Sequence, residues 1–236
     1  MRVRTAVVLL AMVISLGMIS CGGGGGGTSY PELDGTWFGV WEDHFISKAF
    51  TVEMTINSKG KVTSVLENGS DIELTGSVSK DSSQVYSVEW DDGSFGGFLI
   101  DPTNTHFAYL DDFFFVGIFQ KDAAALPVYS IPDYEGTWSG YSVWVDTDMN
   151  IVDEADTVIT VNNQMDVIGT TVAGAFSGSI LGGFDMGRGV ASGENTAGDI
   201  FFHIFLSVDK MFATTYSCPD DYVDFDDCEF GGWSKQ

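Results

Sequence analysis

The alternation of apolar and polar residues along the chain is typical of β-strands. Apolar side chains occupy every second position from Phe50 to Ile56, which is the period of a half-buried strand. Similar runs recur about every ten residues, separated by turn signals such as Asn68-Gly69, a strong hairpin signal. After the N-terminal segment, no run keeps a helical period over three turns. The pattern therefore predicts an all-β fold.

Four short motifs occur twice in the same order, at offsets between 101 and 114 residues. The paired motifs are Leu33–Gly39 with Tyr134–Gly140, Met54–Asn57 with Ile159–Asn162, Leu74–Val78 with Phe176–Ile180, and Gly117–Lys121 with Gly231–Lys235. The drift in offset is what insertions would produce. The sequence thus predicts two homologous units, residues 30–122 and 132–236, joined by a linker over 123–131.

Each unit contains about eight candidate strands and shows no feature that would protect a sheet edge. Closing the sheet on itself removes its edges altogether. We therefore expect two tandem antiparallel eight-stranded meander barrels, with two β-sandwiches as the alternative.

The first residues have the form of an export signal. Arg2 and Arg4 precede an apolar run from Ala6 to Ile19, which is shorter than the roughly 20 residues of a spanning helix. The run ends in Met18-Ile19-Ser20-Cys21, which resembles a bacterial lipobox. That resemblance implies cleavage of a signal peptide over residues 1–20 and acylation of Cys21. An ordinary secretory signal with an incidental cysteine is the alternative.

Six consecutive glycines follow Cys21. Such a run orders only at a large entropy cost, so we interpret residues 21–29 as a lipidated cysteine and a flexible tether. Cysteine followed by glycines is also similar to surface-displayed lipoproteins of Gram-negative bacteria. The resemblance implies a lipid anchor in the outer membrane, on its periplasmic face or at the cell surface.

The charge of the chain excludes one class of partner. Its 34 acidic and 10 basic residues give a formal charge of −24, and loss of residues 1–20 removes two arginines and gives −26. Such a chain is repelled by nucleic acid, so no nucleic-acid partner is expected. An aromatic content of 14% is nevertheless high enough for folded cores rather than a disordered acidic chain.

The Gly-Thr-Trp at the start of each unit resembles the Gly-x-Trp of calycins, the lipocalin and avidin class of barrels. In that class a basic residue of the last strand lies against the tryptophan. The resemblance implies contacts of Trp37 with Lys121 and of Trp138 with Lys235, since a cation over an indole would help to close the barrel. The alternative is that both lysines are solvated.

No motif for catalysis stands out, and we expect no enzyme activity and no organic cofactor. The three histidines, His44, His106 and His203, are scattered. Cys218 and Cys228 lack metal-ligand spacing, and an oxidising compartment favours a disulfide between them.

An acidic stretch over residues 146–156 is a candidate calcium loop, with a solvated hairpin as the alternative. Its oxygen-bearing side chains resemble the ligand spacing of such a loop, although Ile151 stands where glycine is needed. The candidate ligands are Asp146, Asp148, Asn150 and Glu154.

Together these features predict a membrane-anchored lipoprotein that acts as a non-enzymatic binding or scaffold module of the cell envelope. Two alternatives remain at this stage. One is binding of a small apolar ligand inside a barrel, and the other is a calcium-stabilised structural protein. A protein partner is compatible with each.

Overall fold

The computed structural model describes residues 28–43, 48–112, 115–145, 151–172, 174–219 and 228–236. Within these ranges the regular structure is β-strand, apart from two single turns of 3-10 helix. None of the described helical turns is long or apolar enough to cross a membrane. The predicted signal peptide, Cys21 and the glycine run lie outside the described residues.

The first unit forms a closed antiparallel barrel. Its strands are β1 (Gly35–Asp43), β2 (Lys48–Ile56), β3 (Lys61–Glu67), β4 (Ser70–Asp71), β5 (Gly76–Lys80), β6 (Val85–Trp90), β7 (Phe95–Ile100), β8 (His106–Asp111) and β9 (Phe115–Lys121). β4 is a two-residue return of β3 across the predicted Asn68-Gly69 turn. The other eight strands form the wall, which closes where β1 pairs with β9.

The second unit forms another closed barrel of eight antiparallel strands. They are β10 (Gly136–Val145), β11 (Ile151–Val161), β12 (Asp166–Thr171), β13 (Gly174–Asp185), β14 (Val190–Asn195), β15 (Ile200–Leu206), β16 (Phe212–Pro219) and β17 (Cys228–Lys235). The first and last strands again pair, here β10 with β17. The prediction of two tandem eight-stranded barrels is confirmed, and the sandwich alternative is wrong because both sheets close.

Gly-Thr-Trp recurs because each barrel is sealed at one end in the same way. The indole nitrogens of Trp37 and Trp138 donate to the carbonyls of Leu33 and Tyr134, at 2.8 and 2.9 Å. Each acceptor belongs to a short turn that precedes its barrel, at residues 31–33 and 131–134. We call the end under this turn the closed end of a barrel and the opposite end the open end.

The glycine of the motif is required by backbone geometry. Gly35 and Gly136 have φ values of +138° and +144°, a region that residues with a Cβ rarely adopt. A Cβ at Gly136 would also lie 2.8 Å from Cε of Lys235. The glycine thus leaves room for the lysine that crosses the closed end.

The predicted lysine–tryptophan contacts are present in both barrels. The Nζ atom lies 5.4 Å from the ring centroid in the pair Lys121–Trp37 and 5.0 Å in the pair Lys235–Trp138. Each ammonium also donates to a backbone carbonyl of the sealing turn, at 3.0 and 3.1 Å. These lysines therefore join the last strand of a barrel to its closed end.

The two barrels lie side by side, with one apolar cluster between them. It includes Val40, Leu110 and Ile118 of the first barrel and Val143, Phe205, Phe212, Tyr216 and Phe230 of the second. Two histidine–carboxylate pairs cross the interface. His203 Nδ1 lies 2.8 Å from Glu42 Oε2, and His106 Nε2 lies 3.0 Å from Asp209 Oδ2.

His106 also fixes the relative direction of the barrels. It begins β8 at the closed end of the first barrel, whereas Asp209 and Phe212 lie at the closed end of the second. The His106 ring stacks on Phe212 with centroids 5.4 Å apart. Both closed ends therefore point to the same side of the molecule.

Candidate functional site

The interior of the first barrel is filled by aromatic side chains. Ring centroids are 4.7 Å apart in the pair Trp37–Phe107, 4.8 Å in the pair Phe107–Phe119 and 5.3 Å in the pair Trp41–Phe115. The hydroxyl of Tyr109 accepts from the Trp90 indole at 3.0 Å, so that the polar atoms inside are also paired. This packing gives the first barrel a solid core.

The interior of the second barrel contains a cavity, which we call the lumen. It has about 30 Å³ of room for the centres of water-sized molecules and opens to solvent. Its lining residues are Ile159, Val167, Thr171, Phe176, Phe202, Ile204, Thr215, Ser217, Glu229 and Trp233. Thr171, Ser217 and Glu229 stand at the open-end termini of their strands, so the mouth lies opposite the closed end.

The lumen exists because bulky residues of the first barrel have small or polar counterparts in the second. Strand register aligns the two barrels through their tryptophan–lysine pairs. Counted from these pairs, Trp41 corresponds to Ser142 and Phe115 to Glu229. On the adjacent strand, Phe107 corresponds to Ala213 and Tyr109 to Thr215.

Some inward side chains of the second barrel are also bulky, but they do not fill the lumen. Trp233 replaces Phe119, and its indole nitrogen donates to Thr157 Oγ1 at 2.9 Å. Phe176 and Phe202 pack edge to face with centroids 5.5 Å apart, also in the lining. The lumen therefore has aromatic walls held in fixed orientations.

One carboxylate lies in this wall. Glu229 is 9% exposed, and its Oε1 accepts from the backbone N–H of Val172 at 3.1 Å. Ser217 is its partner across the β16–β17 ladder, and Thr215 follows on the same face. Among the described residues, no lysine, arginine or histidine forms an ion pair with Glu229. The lumen therefore combines one unbalanced negative charge with hydroxyls and aromatic faces.

Of the candidate calcium ligands, Glu154 is the one that lies in the part of the chain that the structure describes. Asp146, Asp148 and Asn150 lie outside the described residues. The stretch predicted as a loop over 146–156 is strand from Ile151 onward, because β10 and β11 extend their pairing. Glu154 pairs with Val143 in that ladder, and the described ranges hold no cluster of metal-ligating side chains.

The cysteines stand where a disulfide is feasible. The β16–β17 pairing sets Ser217 opposite Glu229, and the two cysteines are the residue after Ser217 and the residue before Glu229. Cys228 is buried between the barrels, whereas the side chain of Cys218 lies outside the described residues. The disulfide stays a prediction, as does the acylation of Cys21.

Sequence reasoning did not find Glu229 or Thr215. A signal was available, because the repeat aligns Gly117–Lys121 with Gly231–Lys235 and so places Glu229 where the first unit has Phe115. Such an aromatic-to-acid change inside a repeat indicates a change of environment.

Comparison with known proteins identifies no family for this chain. No protein-family model matches it, and no curated protein is significantly similar in sequence. Among solved structures, it resembles a protein of unknown function of the DUF3598 family from Nostoc punctiforme, with TM-score 0.39 and 12% identity over 88% of this chain and 97% of that one. It also resembles a Bacteroides fragilis "putative outer membrane protein", with TM-score 0.27 and 12% identity over 87% and 98% of the two chains. Likeness at this level carries no information on function.

Proposed function

We propose that this chain is a non-enzymatic binding module, anchored to the cell envelope through Cys21, whose second barrel holds a small ligand in its lumen. The observation that carries the proposal is the difference between two homologous barrels. One is packed solid by aromatic rings, whereas the other has a small cavity at the corresponding positions, and this cavity opens at one end. Side chains normally fill barrels of eight strands, so an open lumen with ordered walls favours ligand binding.

The composition of the lumen favours binding over catalysis. Glu229 is the single ionisable side chain in its described lining, and no histidine, cysteine or lysine joins it there. General acid–base and covalent mechanisms need a reactive group paired with a second one that activates or orients it. The lining offers hydrogen bonds and apolar contact without such a pair.

A purely apolar ligand fits the lumen less well than a ligand with a polar group. Glu229, Ser217, Thr215 and Thr171 would all face that ligand, and each would lose hydration without gaining a hydrogen bond. The aromatic and aliphatic wall would contact an apolar portion. We therefore favour an amphipathic ligand over the apolar one considered from the sequence.

Replacing Thr215 with tyrosine should abolish ligand binding, because it restores in the second barrel the side chain that Tyr109 provides in the first. We expect at least a tenfold loss of affinity with little loss of thermal stability. Binding can be followed by Trp233 fluorescence against a panel of small alcohols, sugars, amines and carboxylic acids.

Thr170→Tyr is the matched control, since Thr170 is exposed on the outside of the same barrel. It should bind as the unmodified protein does. The proposal fails if no compound binds the unmodified protein, or if Thr215→Tyr binds as well as Thr170→Tyr.

The proposed anchor has its own test. Growth with an alkynyl fatty acid should label the unmodified protein and should not label Cys21→Ala, because the thiol of Cys21 would carry the diacylglyceryl group. Cys218→Ala, which removes a different cysteine, should keep full labelling. Labelled Cys21→Ala protein would contradict lipidation at this residue.

A further inference from the structure

We infer that the ligand of the second barrel is a small organic cation, an ammonium or guanidinium compound with an apolar portion. The inference rests on the proposed function, since it assigns a chemical class to the ligand of that same lumen.

The first support is the position of Glu229. A carboxylate that is only 9% exposed is costly unless it gains hydrogen bonds or an opposite charge. Glu229 receives one hydrogen bond, from Val172 N–H to Oε1, and Oε2 is not one of the buried side-chain atoms without a partner, so it remains open to solvent in the lumen. A cation in the lumen would supply the charge that the described wall does not.

The second support is that the lumen holding this carboxylate also has aromatic walls. Trp233, Phe176 and Phe202 all line the lumen with Glu229. Aromatic faces attract cations that lie within about 6 Å of the ring centroid, and the attraction grows when the site is desolvated. A cavity lined by a carboxylate and by several aromatic rings suits an organic cation better than a neutral or anionic compound.

The third support comes from the first barrel, which serves as an internal reference. The position of Glu229 is occupied there by Phe115, which packs on Trp41 and closes the space. An acid at an inward position brings no packing benefit over the phenylalanine that the same fold accommodates. The acid is explained if it contacts a ligand.

The formal charge of the chain acts in the same direction. A value of −24 raises the local concentration of cations and lowers that of anions at low ionic strength. This field does not select a binding site, but it favours entry of a cation through the mouth.

The test uses a matched pair of probes. Choline and 3,3-dimethylbutan-1-ol have nearly the same shape, but the first carries a quaternary nitrogen where the second has carbon. 3,3-Dimethylbutanoate adds the opposite charge. Each is titrated into the full chain and followed by calorimetry and by tryptophan fluorescence. We expect choline to bind at least tenfold more tightly than the alcohol, and the carboxylate to bind most weakly.

Glu229→Gln identifies the source of that preference. Glutamine keeps an oxygen that can accept from Val172 N–H, so the barrel should remain folded, and the melting temperature verifies this. The variant should bind choline about tenfold to a hundredfold less tightly, as expected for loss of a charged partner. Glu135→Gln removes the same charge from an exposed site at the closed end and should leave choline binding unchanged.

The outcomes distinguish failure of the cation assignment from failure of the proposed function. If the alcohol or the carboxylate binds as tightly as choline, or if Glu229→Gln keeps the preference for choline, the cation assignment is overturned. If such a compound binds and Thr215→Tyr abolishes its binding, the lumen is still a ligand site and the proposed function survives. If no compound of any charge class binds the unmodified protein, both fail.

Discussion

Replacing Gly39 with alanine should unfold the first barrel or lower its free energy of unfolding by about 3 kcal/mol or more. A Cβ at this position would lie 1.8 Å from the carbonyl oxygen of Ile118 and 2.9 Å from Cα of Phe119. Both atoms belong to the backbone of β9, which cannot turn aside as a side chain can. The strands β1 and β9 would have to separate where their pairing closes the ring. The measurement is urea-induced unfolding followed by circular dichroism.

Gly97→Ala is the control within the same barrel. Its Cβ would meet only the carbonyl oxygen of Tyr86, at 3.6 Å, an ordinary van der Waals distance. We expect a change below about 1 kcal/mol. Gly140→Ala repeats the experiment in the second barrel, where the Cβ would lie 2.0 Å from the carbonyl oxygen of Gly232. Equal stability of Gly39→Ala and Gly97→Ala would contradict this account of ring closure.

The interface between the barrels should weaken as the pH rises through about 9. Burial opposes the charged form of His106, but the carboxylate of Asp101, 3.8 Å from Nδ1, and that of Asp209, 3.0 Å from Nε2, outweigh it and raise the pKa of His106 to about 9. Burial likewise opposes ionisation of Asp209, while hydrogen bonds from His106 and Ser207 lower the pKa of that carboxyl to about 2. The charged pair is therefore the stable form near neutral pH.

The direction of the pH effect follows from these shifts. The pKa of His106 is higher in the folded chain than its ordinary value of 6.5. Its contribution to the free energy of unfolding is therefore complete below pH 6.5 and disappears as the pH rises through 9. The pKa of Asp209 is lower than its ordinary value of 3.8, so its contribution is lost as the pH falls through about 2. The free energy of unfolding should fall by roughly 3 kcal/mol between pH 6 and 10.

His106→Gln should remove most of that decline in the free energy of unfolding. It should also destabilise the protein at pH 6, because the substitution removes the charged pair that is present there in the unmodified protein. A buried pair that loses one partner typically costs about 3–5 kcal/mol, and hydrogen bonds from Thr103 and the backbone to Asp101 should reduce this cost. Asp34→Asn removes an exposed charge and should leave both the stability and its pH dependence unchanged. A pH profile of His106→Gln identical to that of the unmodified chain would rule out His106 as the titrating group.

The barrels could be predicted from the sequence because their signals are local and occur twice. Period-two alternation gave the strands, and the repeated Gly-Thr-Trp and terminal lysine gave the pairing of first and last strands. The extent of β11 was mistaken, because its acidic start resembles a loop and lengthens the β10–β11 hairpin instead. Polarity alone does not distinguish an exposed strand end from a turn.

The interface and the lumen depend on distant residues and were not predictable in the same way. His106 and Asp209 are separated by 103 positions, and each is an ordinary polar residue next to a turn in its own unit. To predict the lumen, one must know which side chains of the eight strands point inward at the same level along the barrel axis. That information lies in the strand register, because a shift of one residue moves every side chain of a strand from one face of the sheet to the other.

The common direction of the closed ends determines how an anchored chain would present itself. The described chain begins at residue 28, beside the turn that seals the first barrel, where Ser29 and Tyr30 bond to Ser58. A chain held at Cys21 would thus be attached on the side of both sealing turns. The mouth of the lumen would then lie at the end of the molecule opposite the attachment point. Solutes could then reach the mouth from the surrounding aqueous compartment without passing the anchored end of the protein.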